Sequence, residues 1–175
     1  MGRVIVKKER IVTERLTLRP YRAEDRERLA EMLRNPEITK TFMVPDYPEK
    51  AQYDALADRL IKMSGDTVHL EYGVYLDGYM IGFVNDCGYD GDTIELGYVI
   101  DPAFRGHGYA PEAVRAVIGE IREMGFKKVV AGYFEGNTAS LRVMEKCGLR
   151  PNGHTEEEEY RGRTYLCREC EMVLG

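Results

Sequence analysis

Apolar residues alternate with polar ones in some segments of this chain and recur every three or four positions in others. Alternation predicts β-strands, and the longer period predicts amphipathic helices. The predicted strands are 15–19, 68–76, 79–87, 93–100 and 128–134, followed by a last hairpin that turns near Arg161 and Gly162. The predicted helices are 24–34, 50–63, one beginning at Pro111, and a short one capped by Asn137 or Thr138 and ended by Gly148.

The connections between these elements predict how they are arranged. Asp77-Gly78 is a strong signal for a two-residue hairpin between neighbouring antiparallel strands. A helix separates strand 93–100 from strand 128–134, and the handedness of such units makes those two strands parallel. At 175 residues the chain is long enough for one well-packed core and short for two domains. We therefore expect a single α/β (α+β) domain with a mixed sheet and helices on its faces.

A glycine-containing stretch, Arg105-Gly106-His107-Gly108-Tyr109-Ala110, lies between a predicted strand and a predicted helix. Glycine lets the backbone approach a ligand closely, and the first N–H groups of a helix are free to bind an anion. We expect a phosphate-binding loop here. Within it, His107 contributes through its backbone, since such a loop needs N–H groups and not an imidazole.

Two common phosphate motifs do not fit this stretch. A dinucleotide fingerprint needs three glycines and a later acidic residue, and a P-loop needs a lysine followed by Ser or Thr. The pattern Arg-x-x-Gly-x-Ala, the preceding segment 95–102 and the later segments 137–140 and 141–149 resemble the GNAT superfamily of N-acetyltransferases. The opening segment 13–20 extends the resemblance over nearly the whole chain, towards the branch that includes the ribosomal-protein alanine acetyltransferases.

The resemblance implies a fold, a co-substrate and a set of binding residues. The fold is a mostly antiparallel sheet whose two central parallel strands splay apart to admit the pantetheine arm of acetyl-CoA. The reaction moves an acetyl group to a primary amine, of a small molecule or of a protein N-terminus. The implied cofactor-binding residues are Tyr98, Val99 and Ile100 for the pantetheine amide and the oxyanion, Arg105, Gly106, His107, Gly108, Tyr109 and Ala110 for the pyrophosphate, and Asn137 with Ser140 along the cofactor.

The catalytic assignments also follow from the resemblance. Glu95 is the candidate general base, acting through water, because several family members carry an acidic residue on this strand; its alternative is a solvated strand residue. Many relatives have a tyrosine acid where this chain has Met144, which cannot donate a proton. Ser140 or a water is then the candidate acid. Met144 also leaves open the alternative of a non-catalytic domain that binds acyl-CoA as a sensor.

The net charge of the chain limits the classes of partner that it is expected to bind. A net charge of −5 argues against a nucleic-acid-binding surface and suits a cationic acceptor. The run Glu156-Glu157-Glu158-Glu159 is typical of a solvated face. The alternative is that one alternate pair of a strand points inward and attracts that amine. Phe42, Met43, Tyr47 and the last hairpin are expected to line the acceptor pocket, although such aromatics also suit a homodimer contact.

The remaining expectations concern location and metals. No apolar run approaches the ~20 residues of a membrane span, and residues 1–10 are charged, so we expect a cytoplasmic protein with no membrane partner. Four cysteines without a secretion signal are expected to be free thiols, and their spacing does not predict a metal site.

Overall fold

The computed structural model describes residues 2–175, which form one eight-stranded sheet in the order β1-β2-β3-β4-β5-β6-β8-β7. The strands are β1 (Ile11–Val12), β2 (Thr17–Arg19), β3 (Glu71–Leu76), β4 (Tyr79–Asp90), β5 (Thr93–Ile100), β6 (Lys128–Phe134), β7 (Arg150–Tyr160) and β8 (Arg163–Val173). The helices are α1 (Arg26–Leu33), α2 (Pro36–Thr39), α3 (Lys50–Ser64), α4 (Tyr109–Glu123) and α5 (Thr138–Lys146). All neighbouring strands are antiparallel except β5 and β6. The predicted mixed sheet is confirmed.

Several predicted boundaries were wrong by two or three residues, including the end of β4, which continues to Asp90 instead of ending at Cys87. Helix α4 begins at Tyr109, so Pro111 is its third residue, still in the turn where an N–H has no helical partner. Strand β3 begins at Glu71 because the N–H of the preceding Leu70 donates to the Asp86 carboxylate instead of the ladder. Strand β2 begins at Thr17 because a turn precedes it, in which the Thr13 N–H donates to the Leu16 carbonyl.

The sheet carries a hydrophobic core on each face. One core contains α4 side chains against the sheet, including Val114, Val117, Ile118 and Ile121, all 3% exposed or less. The other packs α1 and α3 on the opposite face, through Leu29, Met32, Leu56 and Ala57. Both faces of the central strands are thus covered, which fixes the position of β4 and β5.

Strands β5 and β6 pair only at their beginnings. Their three paired positions end at Glu95 opposite Val130, whereas β5 continues to Ile100 and β6 to Phe134. On its other side β6 stays paired with β8 along its whole length. A cleft therefore opens between the carboxyl ends of the two parallel strands, as predicted.

A bulge in β4 sets the register beside this cleft. The pairing with β5 shifts between Asp86 and Gly88, before which Asn85 stands opposite Gly97. On its other side Asn85 stands opposite Glu71 of β3. Because directly opposed residues share a face of a sheet, Glu71, Asn85 and Gly97 form a row that crosses three strands.

Candidate active site

Two cavities open along β5, of about 480 Å³ and about 470 Å³. Both are lined by Thr41 and Phe42, so they meet at these two residues. Each volume lies in the range of small-molecule sites. We call them the acidic cavity and the loop cavity, after the residues that line them.

The loop cavity is lined by most of the predicted cofactor-binding residues. These are Tyr98, Val99, Ile100, Arg105, Gly106, Gly108, Tyr109, Ala110, Asn137 and Ser140. His107 is not among its lining residues. Arg142 and Lys146 of α5 also line it and add positive charge that the sequence reasoning missed. Their spacing of four, on the helix that Asn137 caps, was the signal that placed both on one face.

The glycine loop presents free backbone donors to the loop cavity. Gly106 and Gly108 have φ of 82° and 79°, a left-handed conformation that favours glycine. Within residues 2–175 the N–H groups of 106–108 have no hydrogen-bond partner, and α4 adds the unpaired N–H groups of its first turn. Since these donors converge at a helix N-terminus, the loop fits a phosphate group.

A second segment holds the loop from outside. Arg15, in the turn before β2, donates from Nη1 to the His107 carbonyl at 2.8 Å and from Nε to Glu112 Oε1 at 2.8 Å. Its guanidinium lies 4.5 Å from the ring centroid of Tyr109. The sequence reasoning missed Arg15, because local spacing carries no signal for a contact between such distant segments.

A pair of hydroxyl groups lies where β5 meets α5. The Tyr98 hydroxyl is 3.0 Å from Ser140 Oγ and 3.0 Å from the Ser140 carbonyl oxygen, and burial raises the pKa of Tyr98. Asn137 caps α5 by accepting the Ser140 N–H at 3.2 Å. Met144 lies one turn further along, 1% exposed in the core with α4. Ser140 and Tyr98 therefore line the loop cavity, while Met144 packs in the core under α4.

The acidic cavity combines apolar walls with carboxylates. Its apolar lining residues include Leu33, Phe42, Met43, Val44, Leu56, Leu60, Phe83 and Phe134. Its acidic ones are Glu71, Glu95, Glu156 and Glu158. In the described part of the chain no Lys, Arg or His lines it. An apolar cavity with unbalanced negative charge favours a cationic ligand that has an apolar body.

Glu95 lies in an environment that raises the pKa of its carboxyl group. Burial raises its pKa, and the negative charges of Glu169, Glu156 and Glu158 raise it further. Its carboxylate reaches towards β6, where Oε1 lies 3.6 Å from the Cβ position of Gly132. Among residues 2–175 Glu95 has no ion-pair or hydrogen-bond partner for its side chain. A carboxylate with a raised pKa holds a proton more strongly and is a better base.

The last hairpin places every second residue of its glutamate run at the acidic cavity. Glu156 and Glu158 line the acidic cavity, and the alternate residues Glu157 and Glu159 do not. Period-two alternation along β7 explains the difference. Glu156 and Glu158 therefore lie at the cavity beside Cys167 of β8, which also lines it, and this placement favours the alternative of an inward pair.

One expected pocket residue lies elsewhere. Phe42 and Met43 line the acidic cavity, but Tyr47 does not. The Tyr47 ring packs edge-on against Tyr53 with centroids 5.2 Å apart, and its N–H donates to the Tyr53 hydroxyl at 3.2 Å. Tyr47 therefore packs on α3 and lines neither cavity, contrary to the expectation.

The state of the cysteines, the possible metal ligands and the length of the helices can be compared with the expectations from the sequence. All four cysteines are unpaired thiols, and Cys147 and Cys170 are buried. Residues 2–175 contain no group of three or more His, Cys, Asp and Glu side chains arranged to hold a metal ion. No helix in the same range has both the length and the apolar character needed to cross a bilayer.

Comparison with known proteins agrees with this geometry. A family profile described as acetyltransferase (GNAT) domain matches residues 15–150. The chain is 30% identical over 147 residues to YnaD, an uncharacterized N-acetyltransferase of Bacillus subtilis (strain 168), covering 82% of this chain and 84% of YnaD.

Two solved structures share the fold. The microcin C7 self immunity acetyltransferase MccE, in complex with acetyl-CoA and AMP, superposes with a TM-score of 0.80 at 19% identity, over 92% of this chain and 93% of that one. The ribosomal L7/L12 α-N-protein acetyltransferase RimL, in complex with coenzyme A, gives a TM-score of 0.78 at 16% identity, over 93% and 96%. Together with the glycine loop and the splayed strands, the family match shows that this chain belongs to the GNAT family of acetyl-CoA-dependent acetyltransferases.

Proposed function

We propose that this enzyme transfers the acetyl group of acetyl-CoA to a primary amine bound in the acidic cavity. The observation that carries the proposal is the meeting of two cavities of opposite character at Thr41 and Phe42. One cavity offers backbone N–H groups, Arg142 and Lys146 for phosphates, and the other offers carboxylates for an ammonium group. The acetyl group then lies at the junction, between its donor and its acceptor.

Glu95 is the proposed general base. The amine nitrogen forms a bond to the acetyl carbonyl carbon, the bond from that carbon to sulfur breaks, and one amine proton passes through water to Glu95. Alternate N–H groups of Tyr98 to Ile100 point away from β4 into the cleft, since an antiparallel pair uses every second residue on each side. Those free donors support an oxyanion role for this part of β5.

Ser140 is the proposed proton donor to the leaving thiolate, supported by its hydroxyl contact with Tyr98. A thiol pKa near ~8.5 makes a thiolate a tolerable leaving group, so this step needs little assistance. Met144 is excluded from it by its chemistry and its burial. We therefore expect Ser140→Ala to reduce the rate less than loss of the base does.

The cavity walls indicate the acceptor's shape. A site of about 480 Å³ with aromatic and aliphatic walls accommodates a compact apolar group that carries the amine. A small aryl or alkyl amine and the first residue of a protein N-terminus both meet this description. RimL, by its name, acts on a protein α-amine, which supports including peptides among the tested acceptors.

Release of free thiol from acetyl-CoA tests the function. We would screen benzylamine, a lysine-like alkyl amine and short peptides with free N-termini, and repeat the measurement with Glu95→Gln. With the lysine-like acceptor, whose amine is almost fully protonated at neutral pH, the variant should be slower by at least tenfold, and a rate within twofold of wild type would contradict the base assignment. Binding of acetyl-CoA with no thiol release for any amine would favour a sensor domain instead.

A further inference from the structure

One buried oxygen in the acidic cavity has no partner. Asn85 Oδ1 is the only buried side-chain nitrogen or oxygen atom without a hydrogen bond among residues 2–175. The Asn85 Nδ2 group donates to the Asp86 carbonyl at 3.0 Å. Because a carbonyl oxygen can only accept, this bond fixes the amide orientation and leaves the oxygen, not the nitrogen, unpaired.

The unpaired oxygen lies close to the junction of the two cavities. Gly97 has no side chain, and the point where its Cβ would stand is 3.0 Å from Asn85 Oδ1 and 3.1 Å from Phe42 Cε2. Phe42 belongs to both cavities, and Gly97 immediately precedes Tyr98, the first residue of β5 in the loop cavity. Asn85 Oδ1 is thus directed at the surface of β5 where an amine would meet the acetyl group.

The Phe42 ring approaches the same point above Gly97 as this oxygen does. Phe42 lies in the irregular segment between α2 and α3, and its ring packs edge-on against Phe83 with centroids 5.3 Å apart. Because Asn85 Oδ1 is buried, a ligand reaches it only after a neighbouring group such as the Phe42 ring moves. An unpaired buried acceptor destabilises the site, and an incoming N–H donor relieves that penalty.

We propose that Asn85 Oδ1 accepts one N–H of the attacking amine and makes the site specific for primary amines. The inference rests on the proposed function. A neutral primary amine has two N–H bonds and one lone pair. Glu95 lies two residues before Gly97, on the same face of β5. When the amine donates one N–H to Asn85 and directs the other towards Glu95, its lone pair is free to attack the acetyl carbon. A secondary amine has a single N–H and leaves one of the two acceptors unpaired.

Matched acceptors and three variants test the inference. The acceptors are benzylamine with N-methylbenzylamine, and alanine-initiated peptides with N-methylalanine counterparts. Asn85→Leu removes the acceptor at similar volume, Asn85→Asp keeps an oxygen there, and Asn152→Leu makes the same change at a partnered amide outside both cavities. The melting-temperature rise caused by acetyl-CoA verifies that each variant is folded and binds its co-substrate.

In wild type, kcat/KM should favour each primary amine over its N-methyl counterpart by at least about thirtyfold. Asn85→Leu should lower kcat/KM for primary amines by at least about tenfold and reduce the preference to within about threefold, whereas Asn85→Asp and Asn152→Leu should keep it. An unchanged preference in an Asn85→Leu variant that keeps its acetyl-CoA response, or a preference lost equally in Asn152→Leu, would overturn the inference alone. No turnover of any amine by the wild type would overturn the proposed function and the inference together.

Discussion

Arg15 and Glu112 are 97 positions apart in the chain, yet Arg15 Nε donates to Glu112 Oε1 at 2.8 Å. The Glu112 carboxylate also accepts from the Thr13 hydroxyl at 2.7 Å and from the Arg15 N–H at 3.0 Å. Partial burial acts to raise the pKa of Glu112, but these hydrogen bonds hold it below its usual range. The ionised pair ties the turn before β2 to the first turn of α4 and so positions the glycine loop.

Arg15→Ala should weaken acetyl-CoA binding about tenfold, because the His107 carbonyl and the Tyr109 ring lose the group that holds them. Calorimetric titration with acetyl-CoA measures the dissociation constant directly. Arg22→Ala is the matched control, since Arg22 is exposed and, among residues 2–175, its only ion pair is with Glu24, at 3.9 Å. Equal affinities for the two variants would mean that the loop keeps its shape without Arg15.

Gly108→Glu should abolish the thermal stabilisation by acetyl-CoA. Gly108 caps α4 in a left-handed conformation, and among residues 2–175 the only atom within 4 Å of the position its Cβ would take, its chain neighbours aside, is Arg15 Nη2, at 3.5 Å. A glutamate side chain there meets the incoming phosphates with a like charge. In the wild type, acetyl-CoA at a hundredfold above its dissociation constant should raise the melting temperature by roughly 5 to 10 °C.

Gly78→Glu controls for backbone strain in that experiment. Gly78 has φ of 82°, close to the 79° of Gly108, and its turn between β3 and β4 is outside both cavities. Both variants should lose similar intrinsic stability, since both place a side chain in the left-handed region. Only the Gly78 variant should keep the rise with acetyl-CoA, and a rise in both would place the phosphates elsewhere.

Glu156 and Glu158 should set the pH at which Glu95 becomes active. Their charges contribute to the raised pKa of Glu95, after the larger effect of burial. Replacing both with glutamine removes two negative charges, which lowers that pKa and moves the acid limb of the kcat/KM profile to lower pH. The KM for a cationic amine should rise at the same time, most at low salt.

Glu157→Gln with Glu159→Gln supplies the control, because these alternate residues of β7 do not line the cavity. The profile of this double variant should overlay that of wild type. If both double variants shift the acid limb equally, the effect is one of net charge and not of the inward pair. An acid limb that persists in Glu95→Gln would belong to another group.

Sequence patterns predicted the helices and strands that build the site more accurately than they predicted the contacts between side chains within it. The bounds of β5 and β6 were predicted to the residue, since each is an apolar segment flanked by turn residues. The start of α4 was predicted two residues too late. Proline favours the first helical position, which suggested a start at Pro111, whereas Gly108 is the N-cap and the helix begins at Tyr109. Asn85 was missed because its place in the cavity depends on a bulge after Asp86, which no local pattern predicts.

The pH dependence of folding stability should reveal the raised pKa of Glu71. Burial raises the pKa of Glu71 to about 8, although the Tyr21 hydroxyl donates to it at 3.1 Å and acts to lower it. An unfolded glutamate ionises near 4.5, so between that pH and about 8 the folded state holds a proton that the unfolded state lacks. Stability therefore falls as pH rises through this window.

Glu71→Gln removes this titration while keeping an acceptor for Tyr21. The variant should match wild type near pH 4.5 and exceed it by roughly 4 kcal/mol at pH 8, seen as a melting temperature higher by at least about 5 °C. Glu157→Gln, an exposed change, should follow the wild-type curve throughout. A Glu71→Gln curve parallel to wild type from pH 4.5 to 8 would mean that Glu71 is ionised in the folded protein, and the acidic cavity would then carry a further negative charge for its amine.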